Sequence, residues 1–163
     1  MNVKTIILGA SGVGKTRFLN YLRKNVTTFS CPTVGVDFIV YRCNNGITLQ
    51  IWDTSGSDRF KSVVNNFLKG VDLCIFVYND KESFEHMMNI IADVKRQSHG
   101  KRFCVLSFGS AALGKTVASK YGFFFFSVNI FFLSDPTTFK FMPRSVNLWS
   151  ELSALKVKRY SAL

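Results

Sequence analysis

Two spacings of apolar residues alternate along the chain and predict its elements. Val3–Leu8 is a short β-branched run and reads as a strand, and Lys15–Lys24 places Phe18, Leu19 and Leu22 on one face of a helix. Val36–Cys43 and Ile47–Asp53 read as two strands joined by Asn44-Asn45-Gly46, whose Asn-Gly step signals a hairpin turn. Val71–Tyr78 is apolar nearly throughout, as expected of a strand covered on both faces. A helix follows, with Phe84, Met87, Met88, Ile91 and Val94 at spacings of three and four; Phe103–Phe108 and Phe123–Phe126 are predicted as further buried strands. Ser145–Tyr160 reads as a last helix with Leu148, Trp149, Leu152 and Leu155 on one side. The order β-α-β-β-α-β-α-β-α-β-α with a single hairpin predicts an α/β fold, a mostly parallel six-stranded sheet with helices on both faces. At 163 residues the expectation is one domain spanning 1–163.

Composition narrows the class. Hydrophobic residues make up 47% of the chain and charged residues 19%, which favours a packed core over disorder. No apolar run reaches the ~18 residues of a membrane span; Tyr121–Leu133 is interrupted by Ser127 and Asn129. The opening Met1-Asn2-Val3-Lys4 leads straight into a strand, so no secretory signal is expected. Cys31, Cys43, Cys74 and Cys104 lack metal or redox spacing, and three of the four sit in apolar or strand-like runs, so they read as buried reduced thiols of a cytoplasmic protein. His86 and His99 lack partners at ligand spacing and read as surface or core residues. The net charge of +11 is uneven: +2 over residues 1–94 and +9 over residues 95–163. The basic second half is either a solvated face or a reversible contact with an anionic membrane. Nucleic acid is not an expected partner, because no basic-aromatic RNA-binding motif accompanies the charge.

Chemistry enters with Gly9-Ala10-Ser11-Gly12-Val13-Gly14-Lys15-Thr16, a G-x4-G-K-[ST] pattern that follows a strand and opens a helix. Ser11, Gly12, Val13, Gly14, Lys15 and Thr16 are therefore the candidate phosphate cradle of a P-loop NTPase. Backbone N–H groups and the helix N-terminus would face the phosphates, Lys15 would reach the terminal ones, and the Thr16 hydroxyl would meet Mg²⁺. Gly109–Thr116 matches the same pattern. Too little chain follows for another nucleotide domain, and only Asp135 and Glu151 remain there as carboxylates, so this second match is read as coincidence.

With Trp52-Asp53-Thr54-Ser55-Gly56 placed after the hairpin, the chain resembles the Ras superfamily of small GTPases, and its Rab branch most closely. The resemblance rests on GASGVGKT at 9–16, PTVGVDF at 32–38, WDTSGSDRF at 52–60 and VYNDKESFE at 77–85. It implies a small-GTPase G domain that binds GTP or GDP with Mg²⁺ as a nucleotide-dependent switch in membrane trafficking. Carried over by position, Thr33 would close onto Mg²⁺ and the γ-phosphate, Asp53 would hold Mg²⁺ through water, and the Gly56 N–H would sense the γ-phosphate. Lys15, Thr33 and Gly56 are thus the expected catalytic groups, and Thr16, Thr33 and Asp53 the metal set. Phe38, Trp52 and Phe67 align with the aromatics on which Rab partners dock, and read equally well as core. The implied partners are effectors, exchange factors and GTPase-activating proteins meeting the two switch segments of a monomer.

The chain also departs from that pattern. Ser57 and Asp58 stand where the family has its water-orienting glutamine and the glutamate after it. Serine is too short to hold an in-line water, so slow hydrolysis is expected. Ser110-Ala111-Ala112-Leu113 stands in place of Asn-Lys-x-Asp, and Ser127-Val128-Asn129 in place of Ser-Ala-Lys. Ser110, Ala111, Ser127, Val128 and Asn129 are therefore only weak candidates for holding a base, and relaxed base selectivity is expected. Val26 and Thr27 occupy the approximate place of the base-flanking aromatic. The chain ends Tyr160-Ser161-Ala162-Leu163 with no cysteine after Cys104, so no prenyl anchor is expected. Two rivals stand beside the switch. One is a pseudo-GTPase scaffold with little or no turnover. The other is a small-molecule P-loop kinase, which the WDTSG segment disfavours.

Overall fold

A computed structural model describes residues 1–22, 33–43, 46–57, 59, 61–97 and 101–128. Several sequence-derived expectations lie outside these residues: Arg23 and Lys24 of the first helix, Val26, Thr27, Cys31, the turn residues Asn44 and Asn45, Asp58, His99, Asn129, and the last helix at 145–160.

The β-branched run forms β1 (Asn2–Leu8), and the glycine-rich segment after it opens α1 (Lys15–Leu22). The hairpin is β2 (Val36–Arg42) and β3 (Thr48–Thr54), paired antiparallel from Val36↔Thr54 to Arg42↔Thr48. Its turn closes through Gly46, whose N–H donates to the Cys43 carbonyl at 3.2 Å. Then come α2 (Lys61–Phe67), β4 (Leu73–Tyr78), α3 (Lys81–Arg96), β5 (Arg102–Ser107), α4 (Ala111–Tyr121) and β6 (Phe124–Ser127). The six strands lie in the order β2-β3-β1-β4-β5-β6, parallel except for the hairpin pair. This is the mostly parallel sheet expected from the sequence.

Strand alternation sorts the core into two layers. Ile7, Leu49, Ile51, Ile75, Val77 and Leu106 pack with Phe18 and Leu19 of α1. Ile6, Leu8, Cys74, Phe76, Tyr78 and Val105 pack with Met87, Ile91 and Val94 of α3 and Val117 of α4. Helices therefore cover both faces. Asp80 fixes the start of α3 through a capping box: its carboxylate accepts from the Ser83 N–H at 2.8 Å, and the Ser83 hydroxyl returns to the Asp80 backbone.

Three expectations need correction. Val71 and Asp72 precede β4 and do not open it, because Asp72 is diverted to accept from the Lys4 N–H of β1 at 2.9 Å. The last described strand starts at Phe124, one residue later than expected, and Phe124, Phe125 and Phe126 are half-buried, not buried. That strand pairs only with β5, so no neighbouring strand covers its other edge among the described residues. Among the cysteines, Cys74 and Cys104 are buried free thiols as expected, but Cys43 is only half-buried beyond the end of the hairpin strand.

Candidate functional site

The segment from Gly9 to Gly14 links the end of β1 to the first turn of α1, so its backbone stands at the C-terminal edge of the sheet. Gly12 and Gly14 have φ of 76° and 102°, a region that glycine enters without a Cβ penalty. Such turns aim successive N–H groups into one concavity, adding to the positive end of the helix. Lys15, 5% exposed, folds back over this loop, and its Nζ donates to the Gly9 and Ala10 carbonyls at 2.8 Å each. Burial pulls the ammonium down to about 8, and the Asp53 carboxylate partly offsets that. A buried cation held only by carbonyl oxygens is poised for an anion.

Three oxygens converge beside it. The Thr16 hydroxyl lies 2.7 Å from the Thr33 hydroxyl and donates to Asp53 Oδ2 at 2.5 Å, while Thr33 Oγ1 reaches the same carboxylate at 3.4 Å. Asp53 is fully buried, and its Oδ1 has no hydrogen-bond partner. Desolvation raises its pKa against the opposing Thr16 hydrogen bond and Lys15 charge. An orphaned buried carboxylate oxygen beside two hydroxyls is a hard-oxygen donor set, which fits Mg²⁺. Two ties hold the set in place. Thr54 Oγ1 donates to the Ile7 carbonyl at 2.7 Å, joining the ends of β3 and β1, and the Ser55 N–H donates to the Gly35 carbonyl at 2.7 Å, anchoring the segment that carries Thr33.

Gly56 presses on the phosphate loop itself. A Cβ there would lie 2.2 Å from both the Ala10 carbonyl carbon and the Ser11 nitrogen. A cleft of about 170 Å³ is lined by Ser11, Gly12, Gly14, Lys15, Thr16, Thr33 and Gly56, together with Arg17, Thr54 and Ser55. The structure thus brings the sequence-derived phosphate, metal and γ-phosphate-sensing residues together at one cleft, except that Val13 is buried in the core and Asp53 does not line the cleft but is buried and bonded to Thr16. Arg17, Thr54 and Ser55 were not singled out by sequence. Arg17 directly follows the first motif, and Thr54 and Ser55 lie inside the second. Ser57 follows at the rim, half-buried, its N–H donating to Ser55 Oγ at 3.3 Å.

Of the weak base-holding candidates, Ser110, Ala111, Ser127 and Val128 do not line this cleft. Ser110 is the exposed N-cap of α4, without a side-chain capping bond, and Ala111 is the first helical residue. Ser127 is exposed at the end of β6, and Val128 is buried in the core with its N–H on the Ser107 carbonyl at 2.8 Å. All but the first two residues of the second glycine-lysine match lie within α4: Gly114 is buried against Tyr78, whereas Lys115 and Thr116 are exposed and Thr116 donates to the Ala112 carbonyl. It is a helix packed on the sheet, in line with the reading of coincidence.

Phe38, Trp52 and Phe67 do come together. Phe38, 49% exposed, lies 4.9 Å from Trp52 between ring centres, and Trp52 lies 6.5 Å from Phe67. They form a partly exposed aromatic row across the hairpin and α2. His86 is half-buried and lines a second cleft between α2 and α3 with Asn65, Asn89 and Asp93. Among the described residues no cluster of three metal-ligating side chains occurs, and no helix is long and apolar enough to cross a membrane.

A sequence model of the Ras family matches residues 4–126. Over 93 residues the chain is 41% identical to the GTP-binding protein YPTC5 of Chlamydomonas reinhardtii, 43% to the Ras-related protein RABG3f of Arabidopsis thaliana and 42% to the Ras-related protein Rab7 of Cenchrus ciliaris. Each match covers 53% of this chain and 45% of the relative, so the chain spans about half the length of the curated proteins it matches.

Proposed function

The chain belongs to the Ras family, and on that premise we propose that it is a Rab-like switch that binds GTP or GDP with Mg²⁺ and serves membrane trafficking. One observation carries the reading: Thr16 and Thr33 meet at Asp53 Oδ2, leaving its buried Oδ1 without a partner, beside the buried Lys15 ammonium at a glycine-rich helix start. Bound there, Mg²⁺ would neutralise charge on the terminal phosphates. Lys15 would exchange its carbonyl partners for phosphate oxygens. Thr33 would draw its segment onto the cleft when a third phosphate is present, and Gly56, held against the loop, would offer its N–H there.

Hydrolysis is proposed to be slow. Ser57 has one short hydroxyl at the rim, so no side chain of the expected length fixes an attacking water. The aromatic row of Phe38, Trp52 and Phe67 is the proposed docking surface for effectors and regulators, since it joins the hairpin and α2 that flank the cleft. Reversible contact with an anionic membrane is proposed for the basic surface. A pseudo-GTPase scaffold is the second reading, favoured by Ser110, Ala111, Ser127 and Val128 not lining the cleft.

Titration of purified protein with a fluorescent guanine nucleotide in Mg²⁺ tests the first reading. Saturable binding that Lys15→Ala abolishes is the expected result. Equal behaviour of wild type and variant at all concentrations would sink it.

A further inference from the structure

We infer that this cleft recognises a triphosphate chain as such, with the attached nucleoside adding little, so that Mg²⁺–tripolyphosphate is a ligand of the same rank as Mg²⁺–GTP. The inference rests on the phosphate-site reading above and concerns what the flank of that site offers. The charged and convergent groups of the described cleft suit phosphate or cation: Lys15, Arg17, the loop N–H groups, Thr16 and Thr33, with the buried Asp53 bonded to Thr16.

The neighbouring strand ends are committed elsewhere. β5 passes into α4 through only Phe108, Gly109 and Ser110. Phe108 is turned inward, 5% exposed, with its ring 5.5 Å from that of Phe18 in α1. Gly109 lies so close to the end of β4 that a Cβ would meet the Asn79 carbonyl oxygen at 1.8 Å. The Ser110 carbonyl accepts from Tyr78 Oη at 2.6 Å and from Ser107 Oγ at 3.1 Å, and Tyr78 Oη in turn accepts from the Gly114 N–H at 2.9 Å. The two polar side chains at the start of α3 are also engaged: Asn79 Oδ1 accepts from the Ser83 hydroxyl at 2.8 Å, and Asp80 Oδ1 accepts from the Ser83 N–H. The exposed side chains at the ends of β5 and β6, among the described residues, are those of the neutral serines Ser110 and Ser127, beside the exposed Gly109.

A site selects a base strongly when it presents matched buried donors and acceptors that a wrong base leaves unpaired. Among the described residues, such groups are replaced by a buried phenyl ring and by backbone atoms already bonded within the protein. Affinity is therefore concentrated in the charge-assisted contacts to phosphate oxygens. The ligand class is a triphosphate, whether carried by a purine nucleoside or free.

Calorimetry of the full chain at 150 mM salt, with the Mg²⁺ complexes of GTP, ATP and inorganic tripolyphosphate, is the test. Dissociation constants within tenfold of one another, all lost together in Lys15→Ala, are expected. GTP binding more than tenfold tighter than ATP overturns the inference by revealing a base reader. Both nucleotides binding more than tenfold tighter than tripolyphosphate overturns it by assigning affinity to the nucleoside. Tripolyphosphate binding that survives Lys15→Ala overturns it as attraction to the basic surface. If none of the three binds, the phosphate-site reading fails and takes the inference with it.

Discussion

At the scale of residues, Lys15 and Ser57 decide what the cleft can do. Lys15 is buried as a cation, and its pKa is lowered to about 8 by desolvation. Below that pH both folded and unfolded chains carry the proton, so the full cost of burial is present. Between about 8 and the ordinary value near 10.5 the unfolded chain binds more protons, and stability rises with pH. The ligand-free Lys15→Met variant is therefore expected to be more stable than wild type at pH 7. Its advantage should shrink by up to roughly 3 kcal/mol towards pH 10.5. Urea denaturation across that range checks it, and a pH-independent difference refutes it. Ser57 is the position proposed to limit the rate. Replacing it with Gln is expected to raise single-turnover hydrolysis by about 10-fold if positioning alone is lacking. An unchanged rate at saturating nucleotide would favour the scaffold reading.

Among the elements, α4 shows packing overruling a local rule. Gly114 lies inside a helix, where alanine is ordinarily better by about 1 kcal/mol. Here a Cβ would sit 2.5 Å from Phe125 Cε2 and 2.6 Å from the Tyr78 hydroxyl. Gly114→Ala is expected to destabilise by about 1–3 kcal/mol, with the sign opposite to that of helix propensity. Tyr78→Phe should cost about 1 kcal/mol, because it strips a hydroxyl that joins the Ser110 carbonyl to the Gly114 N–H. Chemical denaturation of the two variants measures both, and a stabilised Gly114→Ala would disprove the close packing. The same glycine made Gly109–Thr116 look like a phosphate loop, because a regular expression cannot tell a glycine kept for φ from one kept for space.

For the whole molecule, parallel strands give the sheet two chemically different ends. The cleft lies at the C-terminal ends. At the other end Lys4 Nζ donates to the Lys69 carbonyl at 2.6 Å, Lys101 Nζ to the Leu68 carbonyl at 2.7 Å, and the Arg102 N–H to the Asp72 carbonyl at 3.1 Å. Lys95 and Arg96 close α3 there, and Lys95 and Lys120 lie over the Tyr121 ring at 4.2 and 5.5 Å. The basic surface thus recruits Lys4 and Lys69 from the first half of the chain, which the charge count by halves had set apart. Each such side chain near an anionic bilayer is worth about 1 kcal/mol. Reversing Lys95 and Lys120 to Glu is expected to weaken sedimentation with phosphatidylserine vesicles at least tenfold at 0.1 M salt. Equal sedimentation would refute the proposed membrane contact.

Local and periodic information determined much of this protein directly. Strand and helix order, the hairpin, the phosphate loop and the Trp52–Gly56 segment each rest on near-neighbour spacing, which sequence carries intact. Tertiary structure decided what depends on residues far apart. It joined Thr16 and Thr33 at Asp53 Oδ2, leaving Oδ1 unpaired, and it set Gly56 against the Ala10–Ser11 peptide. It turned Phe108 onto Phe18, left the phenylalanines of β6 half-buried, and gathered lysines from both halves at one end of the sheet. Burial and charge density depend on distances in space, and those are fixed only once the strands have chosen their neighbours.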